Sequence, residues 1–321
     1  MIEIPRINFA LLPTPVEPLE RLTKYFNGPR LIVKRDDLTG VAFGGNKARK
    51  LEFLMADAKS QDAKTIITAG AAQSNHCRQT AAVAARFGYE CILVVAGEKI
   101  KHSSGNLMLD QLLGARIVWA SHSDLDSTLD KTFHEAQEDG HRPYLIPFGG
   151  SNPIGAVGYV FAMSELLGQG YQPNWIILPS GSGGTQAGMV VGAKLFGFRG
   201  RILGISVIEQ KNTFETKVKM LAQSCAEYLN ENLQISPEDI QINSDYLGKG
   251  YGIMGAPEKN AIRIFARYEG LFLDPVYTAR AAAGMMDLLD SKYFSRDDLI
   301  LFWHTGGTPA LFIKKYMDKL I

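Results

Sequence analysis

Short, nearly continuous apolar runs recur along this chain, each followed by a glycine- or hydroxyl-rich turn and then by helical periodicity. Leu31–Val33, Thr65–Ala69, Cys91–Val95, Arg116–Trp119, Tyr144–Pro147, Trp175–Leu178, Ile202–Val207 and Leu299–Trp303 read as strands. Helices are expected from about Lys47, over Ser74–Phe87, over Gly105–Leu113 and after the turn at 180–185. A strand that is apolar on both faces must be covered on both faces, and its alternation with helices marks parallel α/β layers. The chain has 321 residues, and at roughly 100–200 residues per domain two domains are expected. The loop Gly149-Gly150-Ser151-Asn152-Pro153 puts a boundary near 150–165.

Composition narrows the function. The net charge is +1, so no basic field points to nucleic acid. The apolar runs are too short to cross a bilayer. Met1–Arg6 lacks a basic segment followed by an apolar one, so no secretory leader is expected. Cys77, Cys91 and Cys225 are scattered and odd in number, which fits a reducing cytoplasm.

Ligands of open α/β sheets bind beyond the carboxyl ends of the strands, so the residues just after strands carry the information. Five segments lie there. Gly44-Gly45-Asn46-Lys47 opens a helix but lacks the GK dipeptide and following hydroxyl of a nucleotide-binding loop. Lys47 is either a solvated first-turn lysine or an amine whose pKa is lowered by the helix N-terminus and by nearby Arg49 and Lys50, as a Schiff-base lysine requires. Ser74 reads as an N-cap or as a hydroxyl that, with Asn75, orients a ring ligand; His76 reads as structural or supporting. Ser180-Gly181-Ser182-Gly183-Gly184-Thr185 lets backbone amides approach a compact anion at a helix start, and the alternative is a plain tight turn. Asp274-Pro275-Val276-Tyr277-Thr278 and His304-Thr305-Gly306-Gly307 supply hydroxyls and an aromatic face, or are ordinary loops. His134, Glu135, Asp139 and His141 read as a solvated face rather than a metal site, and no metal is expected.

Together, GGNK-x-RKLE, SNH and DPVYT, in this order and spacing, resemble the pyridoxal-phosphate (PLP) fold type II family, in the branch of D-cysteine desulfhydrase and 1-aminocyclopropane-1-carboxylate (ACC) deaminase. The resemblance runs from Lys34-Arg35-Asp36-Asp37 to His304–Phe312. It implies two open, twisted parallel-sheet α/β domains like the β subunit of tryptophan synthase. The larger domain would hold 1–49 with 161–321, the smaller 50–160, and PLP would lie between them. It further implies Lys47 as the Schiff-base lysine and Asn75 as partner of the ring hydroxyl. Ser182, Gly183, Gly184 and Thr185 would cradle the phosphate, with Lys50 beside it. Ser74 would stand beside the substrate carboxylate, Tyr251 and Tyr277 would be the active-site tyrosines, and Thr305 would face the pyridine nitrogen. A small amino-acid substrate and a homodimer are also implied.

Two positions divide the branch. ACC deaminases resemble DPVYEGK and HLGG where this chain has Thr278 and Thr305, and both departures match the D-cysteine desulfhydrase pattern. A neutral threonine supports the pyridine nitrogen less than a glutamate would. Elimination of a good leaving group needs less of that support than opening a cyclopropane. The reading is therefore elimination from D-cysteine, with ACC deamination and lysis of another β-substituted amino acid such as L-cysteate as rivals. A protein that only stores PLP would not need Ser74, Tyr251 and Tyr277. Arg280 stands where relatives commonly show lysine, with no consequence legible in the sequence.

Overall fold

The computed structural model describes residues 4–321; Met1–Glu3, part of the segment read for a leader, lie outside the described residues. The strands are β1 (Val16–Pro18), β2 (Arg30–Arg35), β3 (Thr65–Ala71), β4 (Glu90–Ala96), β5 (Arg116–Ala120), β6 (Pro143–Leu145), β7 (Trp175–Ser180), β8 (Arg201–Ser206), β9 (Gln241–Asn243) and β10 (Leu299–His304). The helices are α1 (Glu20–Phe26), α2 (Lys47–Ser60), α3 (Asn75–Phe87), α4 (Gly105–Leu112), α5 (Leu125–Glu138), α6 (Pro153–Gly168), α7 (Gly184–Phe196), α8 (Lys211–Tyr228), α9 (Ala256–Glu269), α10 (Thr278–Asp290) and α11 (Lys314–Leu320).

They form two sheets. The smaller has the order β5-β4-β3-β6 and is parallel throughout. The larger has the order β1-β2-β10-β7-β8-β9 and is parallel except where β1 meets β2. β1 and β9, each three residues long and mostly half-buried, carry too little apolar pattern to be read from the sequence. Both sheets are covered on both faces, as continuous apolar strands require. Residues of α1, α9 and α10 fill one side of the large sheet, and residues of α6, α7 and α8 fill the other. The small sheet packs on α2 and α3 on one side and on α5 on the other.

The strand order locates the cleft. In the small sheet β4 and β6 lie on opposite sides of β3, and in the large sheet β8 and β10 lie on opposite sides of β7. Chains that leave neighbouring strands in opposite directions open a crevice at their carboxyl ends. The loops after β3, β6, β7 and β10 all end at such points.

Beneath that crevice lies a fully buried carboxylate, Asp36, at the end of β2. Its Oδ1 accepts from Thr14 Oγ1 (2.9 Å) and Arg49 Nη2 (2.8 Å). Its Oδ2 accepts from Arg49 Nε (2.9 Å), Tyr159 OH (2.6 Å) and Trp303 Nε1 (2.8 Å). Arg49 also grips both oxygens of Glu165, which takes Lys34 Nζ at 2.6 Å. Two carboxylates thus balance two cations. Burial alone would raise the carboxyl pKa of Asp36, but the Arg49 guanidinium and the other donors hold it below its ordinary value. A carboxylate depressed on folding stabilises the protein above its unfolded pKa of about 4, and that contribution disappears as pH falls through the folded value. Breaking such a pair leaves an uncompensated buried charge, so Arg49→Met should cost about 3–5 kcal/mol in urea unfolding at pH 7. Asp36→Asn should flatten the loss of stability on acidification below about pH 4. An unchanged urea midpoint for Arg49→Met would show that the network is not what secures the base of the cleft.

Candidate active site

Helix geometry sorts the three cations of α2. Lys47 and Lys50 are three residues apart and share a face, whereas Arg49 points elsewhere. Arg49 goes down to Asp36 and Glu165, so it is not the neighbour of Lys47 that the sequence was read to supply. Lys47 Nζ donates to Gly149 O at 3.0 Å, and Lys50 Nζ donates to the same oxygen at 3.2 Å and to Ser151 Oγ at 3.1 Å. Among the described residues, neither lysine meets a carboxylate. Burial draws the Lys47 pKa down to about 8. Burial, and after it the charge of Lys47, holds Lys50 well below the ordinary lysine value. Burial is the main cause of that lowering, and Arg49, invoked from the sequence, is turned away to Asp36 and Glu165.

The glycine-rich turn after β7 closes on this pair. Ser151 Oγ bonds Ser182 Oγ (2.7 Å) and accepts from Gly184 N (3.2 Å), the first residue of α7. A Cβ on Gly184 would lie 2.6 Å from Ser151 Oγ and 2.8 Å from Lys50 Nζ, so glycine is required for the close approach. Thr185 lines the cleft and accepts from Asn46 Nδ2 at 3.0 Å. Ser180 Oγ, on the same wall, is buried and has no hydrogen-bond partner among the described residues.

Opposite lies the start of α3. Ser74 caps it, its Oγ accepting from Cys77 N at 3.1 Å, and it also lines the cleft, so both readings of this residue coexist. Asn75 Oδ1 accepts from Arg78 Nη1 (3.2 Å) and Asn106 Nδ2 (2.8 Å), which leaves the amide nitrogen as its free donor. Asn106 is held in turn by Gln73. His76 is buried in the cleft wall. Thr68 Oγ1 donates to Ile146 O, so His76 Nε2 must donate to Thr68. Burial, then Lys47 and Lys50, keeps the ring neutral.

Tyr277, at the entrance to α10, lines the cleft; its OH is 2.6 Å from that of Tyr251, with ring centroids 5.9 Å apart. Burial pushes Tyr251 up to about 12 and Tyr277 well above the ordinary phenol value. Thr305 lines the cleft, but Thr278 does not join it there. The Thr278 hydroxyl donates to Asp274 Oδ1 (2.8 Å) and accepts from Asp274 N (2.7 Å), which ties down the start of α10. Of the threonine pair singled out in the sequence, only Thr305 faces the site. The sequence reading missed Gly149, Ser151, Arg78 and Asn106. Ser151 stood in plain view after a strand but read as a boundary loop.

Family comparison decides the class. Residues 7–306 match the family model described as pyridoxal-phosphate dependent enzyme. The chain belongs to that family. A solved structure described as an ACC deaminase homologue is 35% identical, covering 99% of this chain and 96% of its own, with a TM-score of 0.91. An L-serine ammonia-lyase from Rhizomucor miehei (16% identity, 97% and 98% coverage, TM-score 0.68) and the processed threonine deaminase isoform 2 from Solanum lycopersicum (17%, 97% and 82%, 0.68) share the fold. The chain is therefore a PLP-dependent enzyme of fold type II. Among the described residues, no helix is long and apolar enough to cross a membrane.

The cleft fits the cofactor. Two lysines without carboxylates, the N-terminus of α7, the close approach at Gly184 and the unpartnered Ser180 hydroxyl together suit a phosphate monoester. Lys47 offers an amine of lowered pKa, and Asn75 offers an oriented donor. If the Lys50 corner takes the phosphate, Lys50→Met removes a charge-assisted bond of about 1.5–3 kcal/mol, weakening PLP binding about ten- to a hundredfold. Gly184→Ala should act in the same direction. Cofactor absorbance during dialysis measures this, and full PLP retention in both variants would assign the phosphate elsewhere.

Proposed function

We propose that this enzyme performs α,β-elimination of D-cysteine, which with water gives pyruvate, ammonia and hydrogen sulfide. The observation that carries the reading is the neutral cleft wall. Thr305 lines the cleft, and among the described residues no aspartate or glutamate does. A carboxylate there would hold a ring nitrogen protonated; a hydroxyl gives weaker help. That suits a reaction driven by a good leaving group such as a thiolate.

Bound PLP supplies the electron sink that makes the substrate α-carbon acidic. Lys47 would hold it, and its Nζ is the first candidate to take the α-proton. A pKa of about 8 keeps neutral amine accessible near neutral pH. Ser74 and the amides at the start of α3 receive the substrate carboxylate. The sulfur leaves with the electron pair of the Cβ–S bond. The Tyr251–Tyr277 pair, held neutral by burial, is suited to give that thiolate a proton.

The rival is ACC deamination, favoured by the description of the 35% identical relative. Parallel product analysis with D-cysteine, L-cysteine, L-cysteate and ACC separates the readings. Sulfide and pyruvate from D-cysteine alone are expected. 2-Oxobutanoate from ACC would overturn the assignment, and sulfite from L-cysteate would keep the site but replace the substrate. Lys47→Ala should abolish turnover and covalent cofactor attachment together. Thr305→Glu, which would place a carboxylate in that wall, should shift the product profile toward chemistry that needs a protonated ring nitrogen; an unchanged profile would remove the argument from the neutral wall.

A further inference from the structure

Arg280 lies one turn beyond Tyr277 on α10, wholly buried. Its Nε donates to Glu258 Oε1 at 2.8 Å. Its Nη1 donates to Val207 O and Gly250 O, both at 3.3 Å, and its Nη2 to Gly250 O (3.2 Å) and Ile253 O (3.0 Å). Glu258, also buried, accepts from Gly255 N at 2.9 Å through its other oxygen. Another carbonyl of this stretch, Gly252 O, is taken from the far side by Tyr316 OH (2.7 Å) and Lys315 Nζ (2.9 Å).

These acceptors surround Tyr251. The segment between β9 and α9 has no regular structure around it, and φ is positive at Gly250 (117°) and Gly252 (70°). Such a segment is costly to order on its own. Side chains that capture its carbonyls supply the order. Tyr277 caps the start of α10 and Arg280 stands three residues on, within its first turn, so their relative placement is fixed by that helix. Tyr277 meets Tyr251 at its hydroxyl while Arg280 grips the backbone on both sides of Tyr251.

We propose that Arg280 is a positioning residue for the Tyr251–Tyr277 pair: its guanidinium, neutralised by Glu258, clamps the Tyr251 segment so that the two hydroxyls meet. Arginine suits the task because its planar fork reaches Glu258 and three carbonyls in different directions. A lysine has one nitrogen to place. The inference rests on reading the two tyrosines as proton carriers.

The test uses cofactor-loaded enzyme and four variants: Arg280→Met, Arg280→Lys, Tyr251→Phe, and the Arg280→Met, Tyr251→Phe double. Hydrogen exchange of amides 247–255 should rise on the order of tenfold in Arg280→Met, with protection in β7 and α7 and bound PLP retained. The fall in kcat should also be on the order of tenfold, should be partly rescued by Arg280→Lys, and should nearly vanish when Tyr251 is already phenylalanine. Unchanged exchange at 247–255 overturns the clamp. An equal loss of kcat in the Tyr251→Phe background overturns its action through Tyr251. Should Arg280→Met fail to fold, Glu258→Gln, which removes the neutralising charge, is judged by the same two readings. Failure of the tyrosine reading is distinct: Tyr251→Phe would then turn over at the wild-type rate, while exchange still decides the clamp.

Discussion

One buried carboxylate fastens the floor of this active site. Asp36 receives donors from the N-terminal segment, α2, α6 and β10, and its backbone carbonyl accepts Gly45 N at 2.9 Å. Three of these grips are two residues from a cleft residue: Arg49 from Lys47, Trp303 from Thr305, Gly45 from Lys47. A desolvated anion tolerates little displacement of its donors, because each one lost exposes charge to a low dielectric. The positions of Lys47 and Thr305 are therefore referred to the same pair of oxygens, although they lie far apart in the chain. The buried cluster of charges is a stability device, and it also fixes the placement of two walls of the cleft.

What the sequence made legible follows from locality. Apolar runs, glycine turns and the residues just after strands are short-range signals, and the two sheets and the loops around Lys47, Ser74, Ser182 and Thr305 came from them. Contacts between distant segments left no such mark. The Tyr251 hydroxyl meets Tyr277 across 26 residues, and Ser151 meets Ser182 across 31. Arg78 reads as one more helical cation, and only the fold turns it inward to orient Asn75. Thr278 shows the opposite failure. The match to a family position suggested a place beside the ring, while the local geometry of a helix start gave its hydroxyl to Asp274. A position in a motif and the direction of a side chain are separate facts.

The three cations of α2 show how one helix serves both ends. Arg49 is neutralised by two carboxylates, and among the described residues Lys47 and Lys50 meet none. The N-terminus of α7 points at the same corner, and α3 begins at Asn75 on the facing wall. Among the described residues no carboxylate lines the cleft, so two lysines and two helix N-termini suit ligands that bring their own anions, such as the proposed phosphate and amino-acid carboxylate. The Tyr251 and Tyr277 phenols are held neutral by burial, so in the proposed elimination they would act as donors. A site that receives anions and gives protons is matched to expelling an anionic leaving group.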